Sequence, residues 1–117
     1  MGMDDIEVKM QIAIGTYKIN KHNRSKTYNI IRNTEDPAIV KWAAIHEDHK
    51  IRAAAAKHPQ LTLADFVRIV FFEQWGDVKK AAGLEYDYSV GWYVSQSHPR
   101  YCELNSLIEI IEDKYNG

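Results

Sequence analysis

Hydrophobic positions along this chain recur mostly three and four residues apart, the spacing of one helix face. Leu104, Leu107, Ile108 and Ile111 line one side of the segment from Glu103 to Tyr115, with Glu103, Glu109 and Glu112 on the other, which predicts a final amphipathic helix. Upstream, Phe66, Val67, Ile69, Val70, Phe71 and Phe72 form an apolar set wide enough for a mostly buried helix. Thr62-Leu63-Ala64-Asp65 opens that helix as a capping box with Asp in place of Glu or Gln. Gly76-Asp77 ends it and begins a short one. Asp36-Pro37 sets a good N-cap before a proline at the first helical position. Pro59 closes the helix running from Ile51 to His58, because proline lacks an N–H and restricts the residue before it.

The first third of the chain reads two ways. Ile6, Val8, Met10, Ile12 and Ile14 alternate as in a strand, whereas Ile6, Met10, Ala13, Ile14 and Tyr17 fit a helix face capped by Asp4 or Asp5. No second alternating run lies nearby to pair with a strand, which favours helix. Residues 86–93 read as a turn followed by the start of a helix.

A short motif recurs. Val40-Lys41-Trp42-Ala43-Ala44, Ile51-Arg52-Ala53-Ala54-Ala55 and Val78-Lys79-Lys80-Ala81-Ala82 all follow aliphatic, basic, any, Ala, Ala. On a helix each copy buries one β-branched residue and two alanines and turns its Lys or Arg toward water. Small residues let neighbouring helices approach closely. A second echo is His58-Pro59 and His98-Pro99, each preceding an amphipathic helix. The two recurrences run at 38 and 40 residues, in the period range of helical solenoids.

The segment Asp48-His49-Lys50-Ile51-Arg52-Ala53-Ala54-Ala55-Ala56-Lys57-His58-Pro59 resembles the leucine-rich-repeat variant and HEAT-like helical repeats: an Asp, then aliphatic-Arg, small residues, and Asn-Pro or His-Pro opening the next helix. Residues 36–82 carry the resemblance, and it fades toward 115. Asp stands at different distances from the aliphatic residue in the three copies, and Gly91-Trp92-Tyr93 replaces the Arg-Ala-Ala expected before His98-Pro99. The resemblance implies an all-α, compact, irregular stack of six or seven short helices and a role in macromolecular binding, of the kind met in small bacterial and phage proteins. It identifies no substrate.

Composition narrows the picture without naming a function. The 117 residues fit one domain, read as a basic N-terminal segment (1–35) and a helical-repeat-like core (36–115). Fifteen Lys and Arg against 16 Asp and Glu leave no global field to attract a polyanion or a membrane surface. Cys102, the single cysteine, excludes an internal disulfide. No apolar run reaches membrane-span length, and Asp4, Asp5 and Glu7 stand where a signal peptide carries positive charge; a cytoplasmic setting is expected.

Candidate chemistry is sparse. His46-Glu47-Asp48-His49 spaces its histidines by three rather than four, and Asp48 looks like a cap that breaks the helix between them, so no metal is expected. Cys102 and His98 lack any recognisable orienting third group, and no glycine-rich phosphate loop exists. No enzyme activity and no cofactor are expected. Two binding features remain. Glu85-Tyr86-Asp87-Tyr88 and Gly91-Trp92-Tyr93 crowd aromatics into an acid-flanked stretch, and Tyr86, Tyr88 and Trp92 are the candidate anchors for another protein. Between Glu7 and Glu35 there is no acidic residue, and Lys18, Lys21, Arg24, Lys26 and Arg32 among amides and tyrosines form the alternative, a nucleic-acid-binding set. The expected function is a small non-enzymatic adaptor or inhibitor that binds a protein, phage-encoded and acting on a host protein in the sharpest form of that reading.

Overall fold

The computed structural model describes the backbone of residues 5–116 and the side chains through Lys114. It is all-α apart from one small hairpin: α1 (Asp5–Ala13), α2 (Arg24–Asn33), α3 (Pro37–Ala44), α4 (His49–Ala56), α5 (Leu63–Phe72), α6 (Gly76–Ala81), β1 (Glu85–Asp87), β2 (Gly91–Tyr93) and α7 (Tyr101–Asn116). No described helix is long and apolar enough to cross a membrane. The helices run in two rows. One row is α2, α4 and α6; the other passes from α1 to α3, α5 and α7. The molecule is elongated, 57 × 31 × 22 Å.

Local chemistry starts the helices where the sequence predicts. Asp36 accepts the Ala38 N–H ahead of Pro37, Asp48 accepts the Lys50 N–H, and the Thr62 hydroxyl accepts the Asp65 N–H. Packing then follows one rule in six helices: residues i, i+3 and i+4 turn inward. These are Thr27, Ile30 and Ile31 on α2, and Val40, Ala43 and Ala44 on α3. Ile51 and Ala55 with half-buried Ala54 do the same on α4, as do Phe66 and Ile69 with half-buried Val70 on α5. Val78, Ala81 and Ala82 serve α6, and Leu104, Leu107 and Ile108 serve α7. Ile51 is fully enclosed, so truncating it to Ala should cost about 2–5 kcal/mol.

Polar links lock the rows at a regular interval. Arg24–Asp48, Lys41–Asp65, His58–Thr34 and Arg68–Ala44 each join residues 24 positions apart. The three copies of the aliphatic-basic-Ala-Ala motif lie on α3, α4 and α6, so the first belongs to a different row from the other two. Their basic residues do not simply face water. Lys41 reaches the buried carboxylate of Asp65, and Arg52 holds Glu73 in a two-pronged pair with side chains only 14% and 4% exposed. Burial alone would push the Asp65 and Glu73 carboxyls up. The Lys41 ammonium, the Thr62 hydroxyl and Arg68 hold Asp65 below the usual range instead, and Arg52 with the backbone N–H groups of Trp75 and Gln74 does so for Glu73.

The first helix corrects a second expectation. It is helical, but Val8 and Ile12 are its buried residues, while Ile6, Met10 and Ile14 face outward. Both stripes are apolar, and the contact with α3 selects the Val8 stripe. Tyr17, beyond the helix end, is buried with its hydroxyl on Thr27. Asp4, one of the two cap candidates, lies outside the described residues; Asp5 opens the helix. Val8, Ile12, Tyr17, Ile30 and Ile31 belong to the same core cluster as Ile51 and Phe66, so α1 and α2 pack onto the rest of the stack.

Candidate functional site

The stretch 86–93 forms a β-hairpin, not a turn and a helix start. Glu85 pairs with Tyr93, Tyr86 with Trp92 and Asp87 with Gly91. Aromatic residues favour extended backbone. Asp87 accepts the Ser89 N–H at 2.7 Å to shape the loop, and Gly91 supplies the left-handed φ of 83° that returns the chain. Here Gly91-Trp92-Tyr93 departs from the repeat-like motif because it is strand.

The pairing builds an aromatic cluster. The Tyr86 ring meets Trp92 edge-on at 5.4 Å between centroids and Tyr88 at 5.6 Å and 84°. Trp92 is half-buried, packed on the core, with the Lys79 ammonium 5.7 Å over its ring and Gly76 at its edge. Outward from this anchor the exposure rises, to 55% at Tyr86 and 97% at Tyr88. Val90 and Tyr93 are exposed beside them. The negative charge of Glu85, then partial burial and Asp87, raise the Tyr93 hydroxyl above the ordinary tyrosine value. The hairpin thus presents an acid-edged aromatic surface held from beneath by one tryptophan.

Helix geometry separates the basic set predicted from sequence. Lys18 and Lys21 lie on the linker between α1 and α2. Arg24 donates to the Tyr28 hydroxyl at 3.1 Å and to Asp48 at 2.8 Å, contacts that raise its own pKa, and the second helps hold Asp48 low against burial. Lys26 points to the side of α2 shared with Asp5, Lys9, Asn29 and Asn33. Arg32 lies on the other side, in a groove with Tyr28, Lys50 of α4 and Lys57 at its end. The five residues of the set therefore do not meet around one ligand. Lys50 and Lys57, which join Arg32, sit outside the acid-free run and carried no sequence cue of their own.

The rings of His46, His58 and His98 bond to backbone. His46 accepts the Asp48 N–H through Nδ1, and Asp48 breaks the helix before His49, as its capping role predicts. His49 stacks flat on Trp75 at 3.8 Å and bonds to Asp77. His58 and His98 make the same pair of bonds: Nδ1 accepts the N–H two residues on, and Nε2 donates to the carbonyl ending an earlier helix, Thr34 or Ala82. Both ring nitrogens of His98 are thereby engaged, and Cys102 is exposed one turn away. No group of three or more His, Cys, Asp or Glu among the described residues is placed to hold a metal ion.

A second groove, about 400 Å³, is bordered by Ile45, Phe72 and Trp75, all exposed, over the Arg52–Glu73 pair. Its charged floor is internally neutralised: Arg52 also donates to the carbonyls of His46 and Glu47, and Glu73 accepts the N–H groups of Gln74 and Trp75. No protein-family model, curated protein or solved structure matches the chain.

Proposed function

We propose that the chain is a non-enzymatic protein-binding module, a small adaptor or inhibitor acting in the cytoplasm, with the hairpin as its contact surface. One observation carries the reading: Tyr88 is almost wholly exposed at the head of an edge-to-face aromatic cluster whose base, Trp92, is half-buried against the core. Interfaces draw their energy from a few Tyr, Trp and Arg side chains. Aromatic rings already held in place lose little freedom on binding, which favours affinity. Glu85 and Asp87 at the margin suit a partner with an apolar pocket rimmed by Lys or Arg.

The test is site-specific photo-crosslinking in lysate of the source organism. A benzophenone side chain replacing Tyr88 should capture one partner, and the same group replacing Lys57 should not. Equal labelling from both positions would contradict the hairpin as contact surface.

A further inference from the structure

Six of the 15 Lys and Arg side chains are engaged, and of the others Lys9 and Lys26 share their groove with Asp5. Arg24, Lys41, Arg52 and Arg68 are consumed by ion pairs, Lys79 lies over Trp92, and Arg100 donates to the Leu61 carbonyl. Arg32, Lys50 and Lys57 have no such partner among the described residues, and they converge. They line a groove of about 420 Å³ between α2 and α4 with Tyr28, Ala53 and Ala54, and no acid lines it. All three cations are exposed, whereas Tyr28, Ala53 and Ala54 are half-buried and form its floor and wall. Lys50 in α4 and Lys57, the residue that ends it, stand seven residues apart, roughly 10 Å.

That arrangement has a specific chemistry. Three unpaired cations along a trough attract a chain of negative charges rather than one anion. The alanine floor admits a close-lying backbone, and it offers no pocket for a large side chain. Tyr28, whose hydroxyl accepts from Arg24, lines the groove with an aromatic ring that suits a base or a sugar. We propose that this groove binds the backbone of single-stranded nucleic acid, with Arg32, Lys50 and Lys57 on phosphates and Tyr28 against a nucleobase. A single strand exposes both its phosphates and its base faces, whereas a duplex keeps its bases stacked away from Tyr28. The site lies on α2 and α4, apart from the hairpin, so it stands or falls independently of the protein-binding reading.

Fluorescence anisotropy with a labelled twelve-nucleotide oligothymidylate tests it. Three phosphate contacts predict a log–log dependence of affinity on salt with slope about −2. Lys50→Gln/Lys57→Gln, at two exposed positions, should weaken binding about 25-fold at 0.1 M salt and reduce the slope to about −0.7. Lys18→Gln/Lys21→Gln removes the same charge from the linker and should leave affinity within about 3-fold, which separates the groove from general electrostatic attraction. No binding at low salt would overturn the proposal, as would equal losses in the two variants. Tighter binding of a twelve-base-pair duplex, or full competition by polyglutamate at equal charge, would overturn the single-strand assignment.

Discussion

Tyr86 and Trp92 face each other across the hairpin, 5.4 Å between ring centroids, and they divide one cluster into a half-buried anchor and an exposed surface. The division has an experimental consequence. Tyr86→Ala/Tyr88→Ala removes only exposed rings, so stability should change by less than about 1 kcal/mol. Partner affinity should fall by at least about 30-fold, the effect of losing an aromatic hot spot. Trp92→Ala should instead lower the urea midpoint as well, since it takes packing from Gly76, Lys79 and the core. Titration of the purified pair and urea unfolding distinguish the two; a double variant that unfolds early would contradict the division.

His58 ties Thr34 to the turn before α5, and the bond crosses 24 residues of chain. His58→Ala leaves the Thr34 carbonyl and the Gln60 N–H without that partner at a buried position, at a cost of about 1–3 kcal/mol. Chemical unfolding of the variant measures it. A loss under about 0.5 kcal/mol would mean that the histidine is not the tie between these elements.

Gly83 terminates α6 with φ +89°, and a Cβ there would lie 2.7 Å from His98 Nε2. Gly83→Ala should therefore cost the left-handed penalty of about 1–2 kcal/mol and displace His98 from the Ala82 carbonyl as well. At Gly91, φ is +83° with open space around it, so Gly91→Ala carries the backbone penalty alone. Thermal unfolding should rank Gly83→Ala clearly below Gly91→Ala; the reverse order would deny the close approach of His98.

Asp65 and Glu73 are held below the ordinary carboxyl range in the folded chain. A group depressed on folding contributes stability above its unfolded pKa and loses it as pH falls through the folded value. The urea midpoint should hold from pH 7 to about 5 and then decline below about pH 4. Asp65→Asn should flatten part of that decline while lowering stability at pH 7, because it leaves Lys41 and Arg68 without their shared carboxylate. An acid profile identical in wild type and variant would show that Asp65 titrates normally.

The parts of this fold that were legible in the sequence are those fixed locally. Asp36, Asp48 and Thr62 cap helices through atoms two or three residues away, and Pro59 acts on its neighbours alone. The inward face of α1 was not legible, because Ile6/Met10/Ile14 and Val8/Ile12 are both apolar and only the contact with α3 chooses between them. The hairpin escaped for another reason: strands of three residues are too short to display an alternating pattern, and their pairing depends on the Asp87 turn and Gly91. The aromatic crowding itself was visible, as was the basic run. Its scattering was not, since Lys26 leaves the opposite side of α2 from Arg24 and Arg32, Asp48 consumes Arg24, and the groove brings Lys50 and Lys57 to Arg32 from elsewhere in the chain.

Quantitative affinity capture tests whether the exposed tyrosines form the contact surface. Immobilised wild-type chain and the Tyr86→Ala/Tyr88→Ala variant are incubated with nuclease-treated lysate of the source organism, and retained proteins are measured by mass spectrometry. The account predicts one near-stoichiometric protein on the wild type and its loss from the folded variant. The same protein retained equally by both, or none that survives nuclease, would contradict it.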